Sequence, residues 1–180
     1  MIEGIAAVAA WLGVSTIVLT DGRLGLASGM ALTTVALTVI AWQSAGVFDA
    51  AAILIGGVVA SGLRFRSGPG GWNLMPPGST PRLVLRVGSG VLALWVAATV
   101  MQGSGTAFRF VAMIAIALPA ARILATNEIA AATTATGALV LGIAVAAATH
   151  EASPGPAPYL IAALVAAGAA LWPRTAPRGA

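Results

Sequence analysis

Long apolar segments are the feature that most constrains this chain. Several run without interruption for close to ~20 residues, the length of an α-helix that crosses the hydrocarbon core of a bilayer. Hydrophobic residues make up 59% of the sequence and charged residues only 8%, whereas charged residues account for about 25% of a soluble domain. A chain of this composition has too little polar surface to cover a globule in water. The sequence therefore predicts an integral membrane protein.

The composition also excludes several kinds of chemistry. The absence of cysteine excludes disulfides, thiolate metal sites and a cysteine nucleophile, and the absence of lysine excludes a Schiff base. A single histidine, His150, cannot by itself form a multi-histidine zinc site or a bis-histidine haem. The arginines stand singly at the ends of apolar segments and form no basic stripe, so we expect no nucleic-acid partner. We predict no catalytic residue, no cofactor and no metal, with the lipid bilayer as the immediate partner.

We predict an all-α fold of seven transmembrane helices, forming a single membrane domain over residues 1–180. The predicted spans are Ile2–Thr20, Leu24–Gln43, Ala45–Leu63, Leu83–Met101, Ala107–Ala125, Ile129–Thr149 and Ala157–Trp172. The second and third spans meet almost without a loop, which predicts a tight antiparallel hairpin. A long loop rich in glycine, proline and serine follows at 64–82, and a short tail ends the chain at 173–180. Because the first segment carries Glu3 and no basic residue, we do not expect it to be a cleaved signal peptide.

The distribution of arginine predicts the orientation in the membrane. With seven spans, one side of the membrane has Arg109 alone, and the other has Arg23, Arg64, Arg66, Arg82, Arg86, Arg122, Arg174 and Arg178. Positively charged residues concentrate on the cytoplasmic side of membrane proteins. We therefore expect an outer N-terminus and a cytoplasmic C-terminus in a bacterial-type plasma membrane.

Small residues recur at helical spacing on two of the predicted spans. Faces spaced by four residues are formed by Ala52, Gly56 and Ala60 and by Ala162, Ala166 and Ala170. Such faces let helix backbones approach closely. They fit either packing within this chain or docking to another membrane subunit, and the sequence leaves both open.

Few ionisable residues lie near the membrane, and each has two interpretations. Glu128 begins the sixth span, and Arg122 lies just across a short turn; together they could form a proton- or ion-coupling pair. Alternatively, Glu128 is an acid stabilised by the helix dipole with Asn127 as cap, while Arg122 extends to the headgroups. Asp49 opens the third span, either as the mouth of an ion path or as an acid wetted at the interface.

The loop at 64–82 is the candidate surface for a partner. It combines arginines with large apolar side chains of the kind that anchor contacts between proteins. The docking candidates are Trp72, Leu74, Met75, Arg64 and Arg66. The alternative is a loop that lies on the headgroups with its tryptophan in the interface.

Spans one to three and five to seven share one plan, which suggests a parallel duplication. Each triplet has an arginine at the connection between its first and second helices (Arg23, Arg122), a threonine doublet in its second helix and arginines after its third. In this plan the chain resembles the small K-type membrane subunit of respiratory complex I and the larger component E of hydrogenase-4-type complexes. The resemblance implies a role in a proton-translocating oxidoreductase. That family uses buried glutamates in its second and third helices, whereas here the second span has no acid and the third has only Asp49.

The sequence therefore favours a non-catalytic membrane subunit that stabilises or couples a larger ion-translocating or redox complex, with other membrane subunits as partners. The alternatives are a small stand-alone transporter or channel and, less favoured, a membrane enzyme acting on lipid or quinone. Sparse acid–base groups argue against an enzyme.

Overall fold

The computed structural model describes residues 2–67, 70–73, 105–147 and 155–172. Within these ranges the fold is all-helical. The helices are α1 (Ile2–Leu19), α2 (Arg23–Ser44), α3 (Val47–Phe65), α4 (Thr106–Ala125), α5 (Ile129–Ala147) and α6 (Ala157–Leu171). Each corresponds to a predicted span, and the remaining one, Leu83–Met101, lies outside the described residues. The first five helices are long and apolar enough to cross a membrane, while α6 has 15 residues and is shorter.

The hairpin between α2 and α3 is confirmed. Only Ala45 and Gly46 separate the two helices, and the N–H groups of both donate to the carbonyl of Ala41, at 2.7 and 3.1 Å. Gly46 has a φ of 115°, a region that residues with a side chain rarely adopt. The chain reverses there at once, which brings α3 back along α2.

The helices form two layers of three, α1–α2–α3 and α4–α5–α6. Within each layer consecutive helices pack against one another, and across the layers α1 packs on α4, α2 on α5 and α3 on α6. Contacts between matching ends show that α1 and α4 run parallel, because Glu3 lies near Arg109 in one pocket and Arg122 reaches the turn after α1. The layers therefore stack with corresponding helices side by side.

Many large apolar side chains lie on the surface of the bundle, whereas alanine makes up much of its interior. On α1, Ala6 and Ala10 are buried, whereas Ile5, Val8 and Leu12 are about half exposed or more. In water this arrangement would leave large aliphatic side chains solvated and small ones inside. In a bilayer it is favourable, because lipid tails solvate aliphatic side chains while small residues let helices approach.

Both small-residue faces predicted from the sequence pack within the chain. The Cβ of an alanine at Gly56 would lie 2.5 Å from the Cα of Ala163, so α3 and α6 touch backbone to backbone. The same holds for α4 and α5, where a Cβ at Gly142 would meet Ala115 at 2.8 Å. Contacts this short leave no space for a methyl group, so van der Waals packing of backbones joins α3 to α6 across the two layers and α4 to α5 within one layer.

Substitution of Gly56 tests this packing. Gly56→Ala should lower the free energy of unfolding by about 1–3 kcal/mol, because α3 and α6 must separate to admit the new methyl group. Gly62→Ala is the matched control, since Gly62 lies on the same helix with open space at its Cβ position. It should be neutral or stabilise by up to about 1 kcal/mol through helix propensity. Unfolding by sodium dodecyl sulfate in mixed micelles measures both, and equal stability of the two variants would contradict the packing.

Candidate functional site

Four of the five arginines that the structure describes gather at one end of the bundle, here called the arginine-rich end. Arg23 starts α2, Arg64 and Arg66 end α3, and Arg122 lies in the last turn of α4. Arg109 is at the opposite end, in the first turn of α4. Two of the four, Arg64 and Arg122, are almost completely buried, with 2% and 1% of their surface exposed.

Arg122 forms an ion pair with Asp21. Its Nη2 donates to the Asp21 carboxylate and lies 3.4 Å from the carbonyl oxygen of Thr20. Asp21 is 29% exposed, so the carboxylate reaches the solvated edge while the guanidinium is enclosed. The pair joins two positions 101 residues apart in sequence. It ties the end of α4 to the turn between α1 and α2, and so ties one layer to the other.

Arg64 makes a second link between the layers. Its Nη2 donates to Oγ1 of Thr133 on α5 at 2.6 Å, and that hydroxyl donates in turn to the carbonyl of Ile129 at 2.8 Å. Beside the guanidinium is a cavity of about 10 Å³, bounded by α2, α3, α5 and α6. This volume is on the order of one water molecule. Arg64 is therefore a structural group inside the bundle, and its side chain is not part of the exposed docking surface predicted from the sequence.

A short segment of the long loop is bound to the bundle at this end. Residues Gly71–Asn73, here called the strap, accept backbone hydrogen bonds from Asp21 (3.0 Å), Gly22 (3.2 Å) and Leu24 (3.2 Å). Gly22 and Leu24 are at the start of α2, where N–H groups have no partner within the helix. The strap thus supplies the acceptors that these groups need, next to the Arg122–Asp21 pair.

The strap holds the Trp72 side chain outward. Trp72 is 51% exposed, although its backbone carbonyl accepts the hydrogen bond from Gly22. Arg66 is also exposed at this end. Of the predicted docking residues, Trp72 on the strap and Arg66 after α3 therefore lie on the surface. Leu74 and Met75 lie outside the described residues.

Glu128 is exposed and is not the partner of Arg122. It precedes the first residue of α5; its carbonyl accepts the first helical hydrogen bond from Ala132 at 2.9 Å. Its own N–H donates to the Thr126 hydroxyl at 3.1 Å. A carboxylate at this position is favoured by the helix dipole. The hydroxyl contact comes from Thr126, whereas the sequence had suggested Asn127 as the cap.

Asp49 lies at the opposite end, half-buried in the first turn of α3. It is close enough to act electrostatically on Tyr159, whose side chain is completely buried in α6. In the described part of the chain the Tyr159 hydroxyl has no hydrogen-bond partner. The structure therefore separates Asp49 from Arg122 and Glu128, so the three predicted coupling residues do not form one site.

The opposite end also has an open pocket of about 320 Å³. It lies where α1 begins, α2 ends and α4 begins, and its lining includes Glu3, Ile40, Gln43, Ser44, Phe108 and Arg109. The pocket was not expected from the sequence, because its residues come from three helix ends and share no motif. For metals, the described ranges contain no cluster of three or more histidine, cysteine, aspartate or glutamate side chains.

Comparison with known proteins gives no relative: no family model matches the sequence, and neither a curated protein nor a solved structure is significantly similar to it. The class of protein follows from the helices. With five helices long and apolar enough to cross a bilayer and large aliphatic side chains on its surface, the chain is a multi-pass α-helical membrane protein.

Substitution of Asp21 tests the ion pair. Asp21→Ala should destabilise the protein by about 3 kcal/mol, since it leaves the buried Arg122 guanidinium without its carboxylate. Glu128→Ala removes an exposed acid at the same end and should change stability by less than about 0.5 kcal/mol. Detergent unfolding of both variants checks the difference. A larger loss in Glu128→Ala than in Asp21→Ala would show that Glu128 is the true counter-ion.

Proposed function

We propose that this chain is a non-catalytic integral-membrane subunit that stabilises or couples a larger ion-translocating or redox membrane complex. The observation that carries the proposal is the exposed Trp72 on a strap that is hydrogen-bonded to the bundle. A tryptophan held outward on an anchored backbone loses little conformational freedom on binding, and tryptophan is among the residues that dominate protein interfaces. Arg66, exposed at the same end, has another side chain typical of such anchors.

The proposal includes seven spans, with the N-terminus outside and the arginine-rich end in the cytoplasm of a bacterial-type plasma membrane. It is supported by the positions of two helix ends: α3 ends at the arginine-rich end, while α4 begins at the opposite end, beside Glu3. An odd number of crossings between them, as the predicted span Leu83–Met101 would give, fits this placement. The parallel pairing of corresponding helices also agrees with a duplicated three-helix unit.

The positions of the acids favour a packing and docking role over proton translocation by this chain. In the described residues, carboxylates occur only at helix ends or in a turn: Glu3, Asp21, Asp49 and Glu128. A proton path through a bilayer needs ionisable groups or water within the span. In the complexes that the chain resembles, such acids are central to translocation, so we propose that this subunit supports a path formed by its partners.

A small transporter or channel is the second candidate. One observation favours it, the open pocket at the opposite end with charged side chains of both signs. The two functions differ in what accompanies the protein out of the membrane. Larger membrane subunits in fixed ratio identify a complex subunit, whereas a lone monomer or homo-oligomer identifies the transporter.

Substitution of Trp72 tests the docking surface. Trp72→Ala should reduce recovery of the accompanying subunits at least about tenfold after mild solubilisation, the effect of losing an interface hot spot of about 2 kcal/mol. Trp42→Ala is the control, because Trp42 is 64% exposed at the opposite end. Quantitative mass spectrometry of the purified material measures both ratios, and equal recovery in the two variants would refute docking through Trp72.

The strap offers a second pair of variants for the same measurement. An alanine Cβ at Gly22 would collide with the carbonyl oxygen of Gly71, although the φ of Gly22, −81°, is ordinary for alanine. Gly22→Ala should therefore displace the strap and reduce recovery of partners as Trp72→Ala does. Gly70→Ala has open space and should leave recovery unchanged.

Glu128→Gln tests whether the Glu128 carboxylate transfers protons or only stabilises the start of α5. If the carboxylate transfers protons, the variant loses proton uptake by membrane vesicles while the complex still assembles. Because Glu128 is exposed and lies apart from Arg122, we expect proton uptake to be retained, with the glutamate acting at the helix terminus. Loss of uptake in an assembled complex would contradict this expectation and would assign Glu128 to the coupling path.

A further inference from the structure

The pocket at the opposite end combines two charges of opposite sign on neighbouring helices. Glu3 is exposed in the first turn of α1, and Arg109 is exposed in the first turn of α4. Both line the pocket, yet no ion pair joins them: in the described ranges the ion pair is that of Arg122 with Asp21. A ligand that enters the pocket therefore meets a carboxylate and a guanidinium that are both available.

The rest of the lining divides into a polar and an apolar part. Gln43 and Ser44, the last residues of α2, contribute an amide and a hydroxyl at the mouth. Ile40 is 2% exposed, and Phe108 is half-buried. The volume, about 320 Å³, falls in the range of small-molecule sites, which combine apolar walls with a few polar groups.

The pocket lies at the ends of helices, the level at which lipid headgroups are expected. It lies at the ends of three helices that are long and apolar enough to cross the bilayer. Two aromatic side chains at the same end are strongly exposed, Trp42 at 64% and Phe48 at 86%. Aromatic residues of this kind concentrate at the level of the headgroups. The pocket thus opens where the phosphate and the terminal group of a phospholipid are found.

We propose that this pocket binds a zwitterion of the phosphoethanolamine type, presented as the headgroup of a phospholipid. The Arg109 guanidinium donates hydrogen bonds to the phosphate oxygens, a geometry in which arginine binds oxyanions through two parallel contacts. The Glu3 carboxylate accepts from the ammonium group. The apolar wall of Ile40 and Phe108 lies beside the methylene groups that join the two charges. The proposal does not depend on the role of the chain as a complex subunit.

Binding of short-chain phospholipids to the purified full-length protein in detergent tests the site. Dihexanoyl phosphatidylethanolamine should bind at least about tenfold more tightly than dihexanoyl phosphatidylglycerol, which has no cation for Glu3. Glu3→Gln should remove this preference, while Arg109→Gln should weaken both lipids about tenfold or more. Arg23→Gln, which removes an exposed arginine at the arginine-rich end, should change neither affinity. Native mass spectrometry gives the affinities, and unchanged melting temperatures confirm that these surface variants are folded.

Each other outcome overturns part or all of the proposal. Equal affinity for the two lipids in the wild-type protein excludes a zwitterion site. Retained affinity and preference in Glu3→Gln and Arg109→Gln place lipid binding elsewhere. Free phosphoethanolamine that binds as tightly as its dihexanoyl lipid identifies a soluble ligand as the source of the zwitterion, and so overturns the assignment to a membrane lipid.

Discussion

The close approach of helix backbones is the constraint on which this bundle depends. In a bilayer, apolar side chains gain little by leaving lipid for protein, so helices associate through contacts that lipid cannot provide. Here those contacts are made at glycine and alanine: α3 meets α6 at Gly56 and Ala163, and α4 meets α5 at Gly142 and Ala115. Because the contacts involve backbone atoms, the helices have little freedom to shift. The two layers therefore hold the groups at both helix ends in defined positions.

Two arginines are enclosed at one end of the bundle, where each has a polar partner in the other layer. A buried guanidinium is unfavourable unless its charge and its donors have partners. Arg122 meets the Asp21 carboxylate, and Arg64 meets the Thr133 hydroxyl, with each contact crossing from one layer to the other. These polar links act near the ends of the helices. The arginine-rich end is therefore held by an ion pair and a hydrogen bond, and the middle of the bundle by small residues.

Much of the fold follows from periodicity, while the partners of charged groups do not. The spacing of Ala52, Gly56 and Ala60 correctly identified the α3 face that is buried, because helical period alone decides which residues share a face. Asp21 was missed as the partner of Arg122, since Glu128 is nearer in sequence. When helices lie side by side, the separation of two residues along the sequence does not indicate whether their side chains are in contact. A parallel arrangement of the triplets places Asp21 and Arg122 at the same end, but which helices touch depends on side-chain shape in three dimensions.

The strap and the Arg122–Asp21 ion pair hold the same turn, the one between α1 and α2. Its carbonyl groups accept from Asp21, Gly22 and Leu24, so the backbone of Asp21 is held by the strap while its side chain is held by Arg122. A force on the exposed Trp72 would therefore act on the same turn that anchors α4. Both contacts restrain Asp21, one through its backbone and one through its side chain, so loss of the ion pair removes one of the two restraints on this turn. The strap and the ion pair therefore connect the surface around Trp72 to the end of α4, and through α4 to the contact between the two layers.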